Sequence, residues 1–160
     1  MVKERIWVFL RIFLGFIFLW AFLDKLLGLG YSTARDKSWL IGASPTSGFL
    51  QNAVHGPFAS VFQSLSGSAF IDWLFMLGLL LLGIALIFGV ALRLAGYSGS
   101  LLMILMWLSL LPPENNPIID DHIIYLLVLI GIATVKPYWG FGLGKLWYNS
   151  NFIKKNKFLE

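Results

Sequence analysis

The stretch PPENNPIIDDHIIY, residues 112–125, sets Asp120, Asp121, His122 and Tyr125 immediately before the apolar run LLVLIGIATV. Carboxylate, imidazole and phenol are groups that hand protons on, and partial burial raises a carboxylate's affinity for them. Ionisable side chains at the edge of a lipid-type helix are costly and need a use or a partner. One use is structural. An acid in the first turn complements the positive end of the helix dipole, worth about 0.3–1 kcal/mol when exposed, and Asn116 can serve as the N-cap. A single capping acid accounts for Asp120 or Asp121, but not for both beside a histidine. Asp121 and Tyr125, four apart, share a helix face. Asp121 and His122 point about 100° apart, so the partner of His122 is expected on a neighbouring span, in Asp24 or Asp72.

The elements that must position these groups are helices in lipid. Of 160 residues, 58% are hydrophobic, 16% aromatic and 12% charged, against roughly 25% charged in soluble domains. A water-soluble fold of this size cannot hide that much apolar surface. About 20 apolar residues cross the hydrocarbon as a helix, and four segments qualify: residues 6–29, 73–92, 94–111 and 118–135. The expected fold is an all-α integral membrane four-helix bundle in a single domain, residues 1–160. Arg11 splits the first run, and no A-x-A-like site follows it, so a cleavable signal peptide is not expected.

Charge sets the orientation. Four spans put both termini on one side with Lys3, Arg5, Arg11, Arg93, Lys136, Lys145, Lys154, Lys155 and Lys157, nine of the twelve basic residues. The opposite side holds Lys25, Arg35 and Lys37, with Asp24, Asp36, Asp72, Glu114, Asp120 and Asp121. A multi-pass protein of the cell membrane with both termini cytoplasmic is expected, and the net charge of +4 reflects this asymmetry. Nucleic acid is not an expected partner. The basic tail, residues 136–160, favours anionic headgroups. In the external connection, residues 30–70, GPFASVFQSL places Phe58, Val61, Phe62 and Leu65 on one helix face. That predicts a short interfacial helix opened by Pro57, with Thr46 or Ser47 capping a preceding turn. Ala85 with Gly89, and Gly96 with Ser100, permit close helix approach. Trp139, Trp147, Tyr138 and Tyr148 read as an interfacial belt.

The chemistry therefore belongs at the external mouth, where four stretches deliver ionisable groups to one depth. Trp20, Trp73 and Tyr125 offer an aromatic slot, which suits a quinone head group: flat, apolar, and in need of protons at its two oxygens. Asp121, His122 and Asp24 are the candidate proton-handling residues. Lys25 and Arg35 can attract a small anion, such as a sulfur oxyanion, beside Asp120 and Glu114. The absence of cysteine excludes disulfides, thiolate metal sites and a cysteine nucleophile, and no metal is expected.

The order and spacing of RIFLGFIFLWAFLDKLLGL, WLIGASPTSGFL, GPFASVF, DWLFMLGLLLLGIALIFGVALRLAG and PPENNPIIDDHIIYLLVL resemble the DoxX/DoxD family of small four-helix membrane proteins. The family includes the membrane subunit of a thiosulfate:quinone oxidoreductase. The resemblance implies quinone and anion chemistry at Asp24, Lys25, Asp120, Asp121 and His122. That enzyme also contains a smaller polypeptide for which this chain has no room, so either a second subunit or other protein partner supplies it, or this protein catalyses a different reaction. A homo-oligomer is compatible with the same reading. The alternative is a non-catalytic anchor or assembly partner for a peripheral redox or detoxifying enzyme.

Overall fold

The computed structural model describes residues 2–135 and 142–156, without the side chains of residues 2–4 and 152. Every regular element among them is helical. Four long helices form the body: α1 (Val2–Leu27), α4 (Ala69–Phe88), α5 (Leu92–Ser109) and α6 (Asp121–Val135). Between α1 and α4 lie 3-10 turns at Arg35–Lys37 and Trp39–Ile41 and two short helices, α2 (Ser47–Asn52) and α3 (Ala59–Gln63). Two more, α7 (Gly144–Asn149) and α8 (Asn151–Lys155), follow the body. At 1.5 Å per residue, α1, α4 and α5 each reach about 27 Å or more, close to the roughly 30 Å hydrocarbon core. These three are long and apolar enough to span. The 15 residues of α6 are apolar but shorter; the chain beyond Val135 passes into residues 136–141, outside the described residues. The arrangement is a membrane helical bundle.

The helices pair unequally. Helix α1 lies tightly along α4, and α5 along α6, whereas contacts between the two pairs are sparse. Small residues explain the tight pairings. A Cβ built on Gly83 would stand 2.8 Å from Leu19 Cβ, and one on Gly15 would stand 2.9 Å from the Ile87 nitrogen. On the other pair, a Cβ on Gly96 would stand 2.6 Å from both Ala133 Cβ and the Leu129 carbonyl oxygen. Gly96 thus serves the close approach expected of it. Its companion Ser100 instead returns its hydroxyl to the Gly96 carbonyl at 2.7 Å. Gly89 ends α4 at φ 74°, and the Arg11 guanidinium fills the space a side chain there would take. The α1–α4 approach uses Gly15 and Gly83 instead of Ala85 and Gly89.

Arg11 neither snorkels nor touches solvent; its exposure is 0%. The tail is more than a basic extension. The Leu143 N–H donates to the Phe88 carbonyl at 2.8 Å, which fastens the start of the tail to the end of α4, and Ile153 is buried. Tyr148 packs on the core, not in a belt. Tyr138 and Trp139 lie outside the described residues.

Candidate functional site

The loop end of the bundle is where α1 and α5 finish and α4 and α6 begin. Two buried carboxylates organise its long loop. Asp24, in the last turn of α1, accepts hydrogen bonds from the Tyr31 and Ser32 N–H groups at 3.2 and 3.0 Å and from Ser32 Oγ at 2.6 Å. Asp72, in the first turn of α4, accepts from Ser44 Oγ at 2.8 Å and Thr46 Oγ1 at 2.5 Å. Buried carboxylates need such donors, and these donors come from residues 31–46 alone. Thr46 therefore does not cap α2; Ser44 Oγ accepts the Ser47 N–H at 3.1 Å and does so. The predicted interfacial helix is a single turn, Ala59–Gln63, that starts two residues after Pro57 and leaves Val61 exposed.

A second fastening joins this loop to the α5–α6 connection. The His55 N–H donates to the Ser109 carbonyl at 3.2 Å, and the imidazole stands between the Ala53 carbonyl, 2.9 Å from Nδ1, and the Pro112 carbonyl, 3.0 Å from Nε2. Hydrogen bonding to both carbonyls raises the His55 pKa above its usual value, with a smaller contribution from Glu114.

The start of α6 differs from expectation. Residues 112–120 are non-helical, and Asn116 accepts from the Ile118 and Ile119 N–H groups within that loop instead of capping the helix. The cap is Asp120: Oδ1 accepts from the His122 N–H at 3.1 Å and from Ile123 at 3.4 Å. Its other oxygen, Oδ2, lies 2.7 Å from His122 Nδ1. The partner of His122 is thus the capping acid two residues before it, not Asp24 or Asp72. With Nδ1 held by a carboxylate, Nε2 is the ring nitrogen left for a ligand.

His122 lines a half-open cavity of about 230 Å³ near the loop end, where the two helix pairs meet. Each long helix supplies a wall: Ile17, Phe18, Ala21 and Lys25 from α1; Phe75 and Leu79 from α4; Leu102, Met103 and Met106 from α5; and His122 with Tyr125 from α6. The walls are apolar, and the polar groups sit toward the loops. The Lys25 ammonium lies 6.0 Å from the Phe75 ring centroid, within reach of a cation–π contact. Among the described residues, no three His, Asp or Glu side chains converge to hold a metal ion.

Of the residues singled out from sequence, Lys25, His122 and Tyr125 meet at this cavity, with Asp120 behind His122. The others stand elsewhere. Asp121 points outward and is exposed, because the cavity face of α6 carries residues three apart, His122 and Tyr125. Asp24 is committed to the loop. Trp20 meets Tyr31 edge-on at 5.2 Å, and Trp73 meets Trp39 at 4.6 Å, both on the outer surface of the bundle. Arg35 and Glu114 are exposed in loops. Sequence reasoning missed the cavity's apolar walls. A signal for them existed: counting back from Lys25 by four, seven and eight gives Ala21, Phe18 and Ile17, one helix face.

A protein-family model described as DoxX matches residues 6–111, covering α1 through α5. No curated protein and no solved structure matches the chain.

Proposed function

Because the chain belongs to the DoxX family and is a membrane protein, we propose that it is the membrane subunit of a quinone-linked oxidoreductase. In this reading the cavity between the helix pairs takes the quinone head group. The observation that carries the proposal is an apolar, ring-sized space with an Asp120–His122 pair and Lys25 at its polar rim. A cavity of about 150 Å³ lined by aliphatic and aromatic side chains holds benzene. The space of about 230 Å³ therefore fits one substituted ring, and falls short of the roughly 300–1,000 Å³ of sites for larger ligands. A quinone, when bound, accepts two electrons and two protons.

The chain's own residues would do the rest. Phe18, Phe75, Leu79 and Met103 exclude water from the ring. His122 presents Nε2 to the ring as the proton-handling nitrogen, and Asp120 fixes the imidazole's orientation through Nδ1. The Lys25 ammonium and the Tyr125 hydroxyl supply further donors. The electron donor is a sulfur compound such as thiosulfate, oxidised on or with a partner subunit; this part rests on the family and on the basic residue Lys25 at the cavity. The basic terminal end faces the cytoplasm, which makes the site extracytoplasmic.

A second reading, a non-catalytic anchor for a peripheral enzyme, is favoured by one observation: Asp24 and Asp72 both serve the loop and not the cavity. Two measurements separate the readings. A photoreactive azidoquinone should label peptides containing Ala21 or Met103, and excess unmodified quinone should suppress the labelling. In native membranes that supply donor and partner, His122→Gln should lower quinone reduction by about 10²-fold or more, the scale of general acid–base catalysis. Labelling confined to the outer helix faces, with full activity in the variant, would leave only the anchor.

A further inference from the structure

We propose that the 3-10 turn Trp39–Ile41 is a bilayer anchor, with Leu40 and Ile41 seated in the acyl region and Arg35 and Lys37 at the headgroup phosphates. The turn projects two adjacent aliphatic side chains, 66% and 65% exposed, an arrangement a water-facing loop has no reason to keep. It is not slack chain. The Asp24 hydrogen bonds hold residues 31 and 32 on one side, and the Asp72 hydrogen bonds hold residues 44 and 46 on the other. Ser38, just before the turn, is buried.

Two features identify lipid as the occupant. The first is continuity. Phe70, Leu74, Leu77 and Leu81 are exposed and recur at helical spacing, so they form one stripe down the lipid-facing side of α4. Trp73 borders that stripe, and Trp39 rests edge-on against it at 4.6 Å. Leu40 and Ile41 follow Trp39 directly and add two exposed aliphatic side chains next to that contact. The second is charge. Arg35 and Lys37 are exposed one short turn earlier, so the segment runs from cations through an interfacial tryptophan to aliphatic side chains. That is the order a chain meets on passing from headgroups into hydrocarbon. The anchor is distinct from the short helix at Ala59–Gln63.

The cysteine-free sequence makes the test direct. Single-cysteine variants Leu40→Cys and Ile41→Cys carry a nitroxide in the full-length protein, reconstituted in phosphatidylcholine–phosphatidylglycerol vesicles. The collision ratio of oxygen to a water-soluble nickel chelate is then compared with Leu77→Cys as the lipid control and Asn52→Cys as the aqueous control. Unfolding temperatures verify that each variant folds. The expected ratio at residues 40 and 41 is several-fold above that at residue 52 and close to that at residue 77. A ratio matching residue 52 overturns the proposal. Shielding from both reagents in native membranes would mean that protein covers the turn, which overturns it equally. Adding Arg35→Gln and Lys37→Gln should make the Ile41→Cys label shallower; unchanged depth refutes the phosphate contact.

Discussion

Filling the cavity is the sharpest perturbation available, and Ala21→Phe does it from inside one wall. On a helix, a phenylalanine takes the χ1 rotamers that direct its ring back toward the N-terminus, here over Phe18 and Ile17, which also line the space. A cavity of about 150 Å³ is needed to hold one ring, so a phenylalanine ring in the roughly 230 Å³ available leaves about 80 Å³, too little for a second. A ligand ring that buries about 150 Å² at ~25 cal/mol/Å² gains about 4 kcal/mol. Losing that contact costs between two and three decades in Kd. The assay is equilibrium binding of a short-chain ubiquinone analogue to the detergent-solubilised protein, with thermal unfolding alongside. Because the new ring fills empty space, the variant should unfold at the same temperature as the parent or higher. A folded variant that binds the analogue with unchanged affinity would refute the assignment of the head group to this cavity.

Two further outcomes follow from the packing and the loop. Only an imidazolium donates from both ring nitrogens, and those of His55 face two carbonyls. Its folded pKa is raised, so its contribution to stability is complete below about pH 6.5 and disappears as pH rises through the higher folded value. The parent should therefore lose thermal stability on alkalinisation across that window, and His55→Gln should show a flatter profile; parallel curves would contradict the role given to the His55 imidazole. Gly96→Val drives a side chain into the Ala133 Cβ and the Leu129 carbonyl and should destabilise by about 1–3 kcal/mol. Gly78→Ala, with nothing within 4 Å, should be neutral or slightly stabilising. Denaturation of both in the same detergent tests the α5–α6 contact.

Composition alone made the helical membrane bundle legible, because apolar runs of spanning length have few other uses. Boundaries were less legible. The expected second span began at Trp73, yet α4 starts at Ala69, since Asp72 is accommodated inside the first turn by loop hydroxyls that hydropathy does not register. The fourth began at Ile118, yet α6 starts at Asp121, because Asp120 competes successfully with Asn116 for the cap. The face that Lys25 shares with Ala21, Phe18 and Ile17, and the face that His122 shares with Tyr125, were each within reach of periodicity. The diversion of Asp24 was not. Its donors, the Tyr31 and Ser32 N–H groups, lie beyond the helix end, in a loop whose path sequence does not specify.

The uneven pairing of the helices connects packing to chemistry. Where glycines bring α1 against α4, and α5 against α6, the backbones approach so closely that no ligand fits. The cavity opens where the pairs meet, and there each helix contributes a wall. Asp24 and Lys25, adjacent in α1, point about 100° apart, so one turn of helix holds the loop with one side chain and borders the cavity with the next. Anything that releases Asp24 from Tyr31 and Ser32 lets the last turn of α1 fray, and Lys25 moves with it. A loss of activity on replacing Asp24 is consequently no evidence that its carboxylate touches substrate. Replacing His122, which borders the cavity, bears on the chemistry more directly. Replacing Asp120 removes the helix cap and the imidazole's hydrogen-bond partner together, and its effect has to be divided between them.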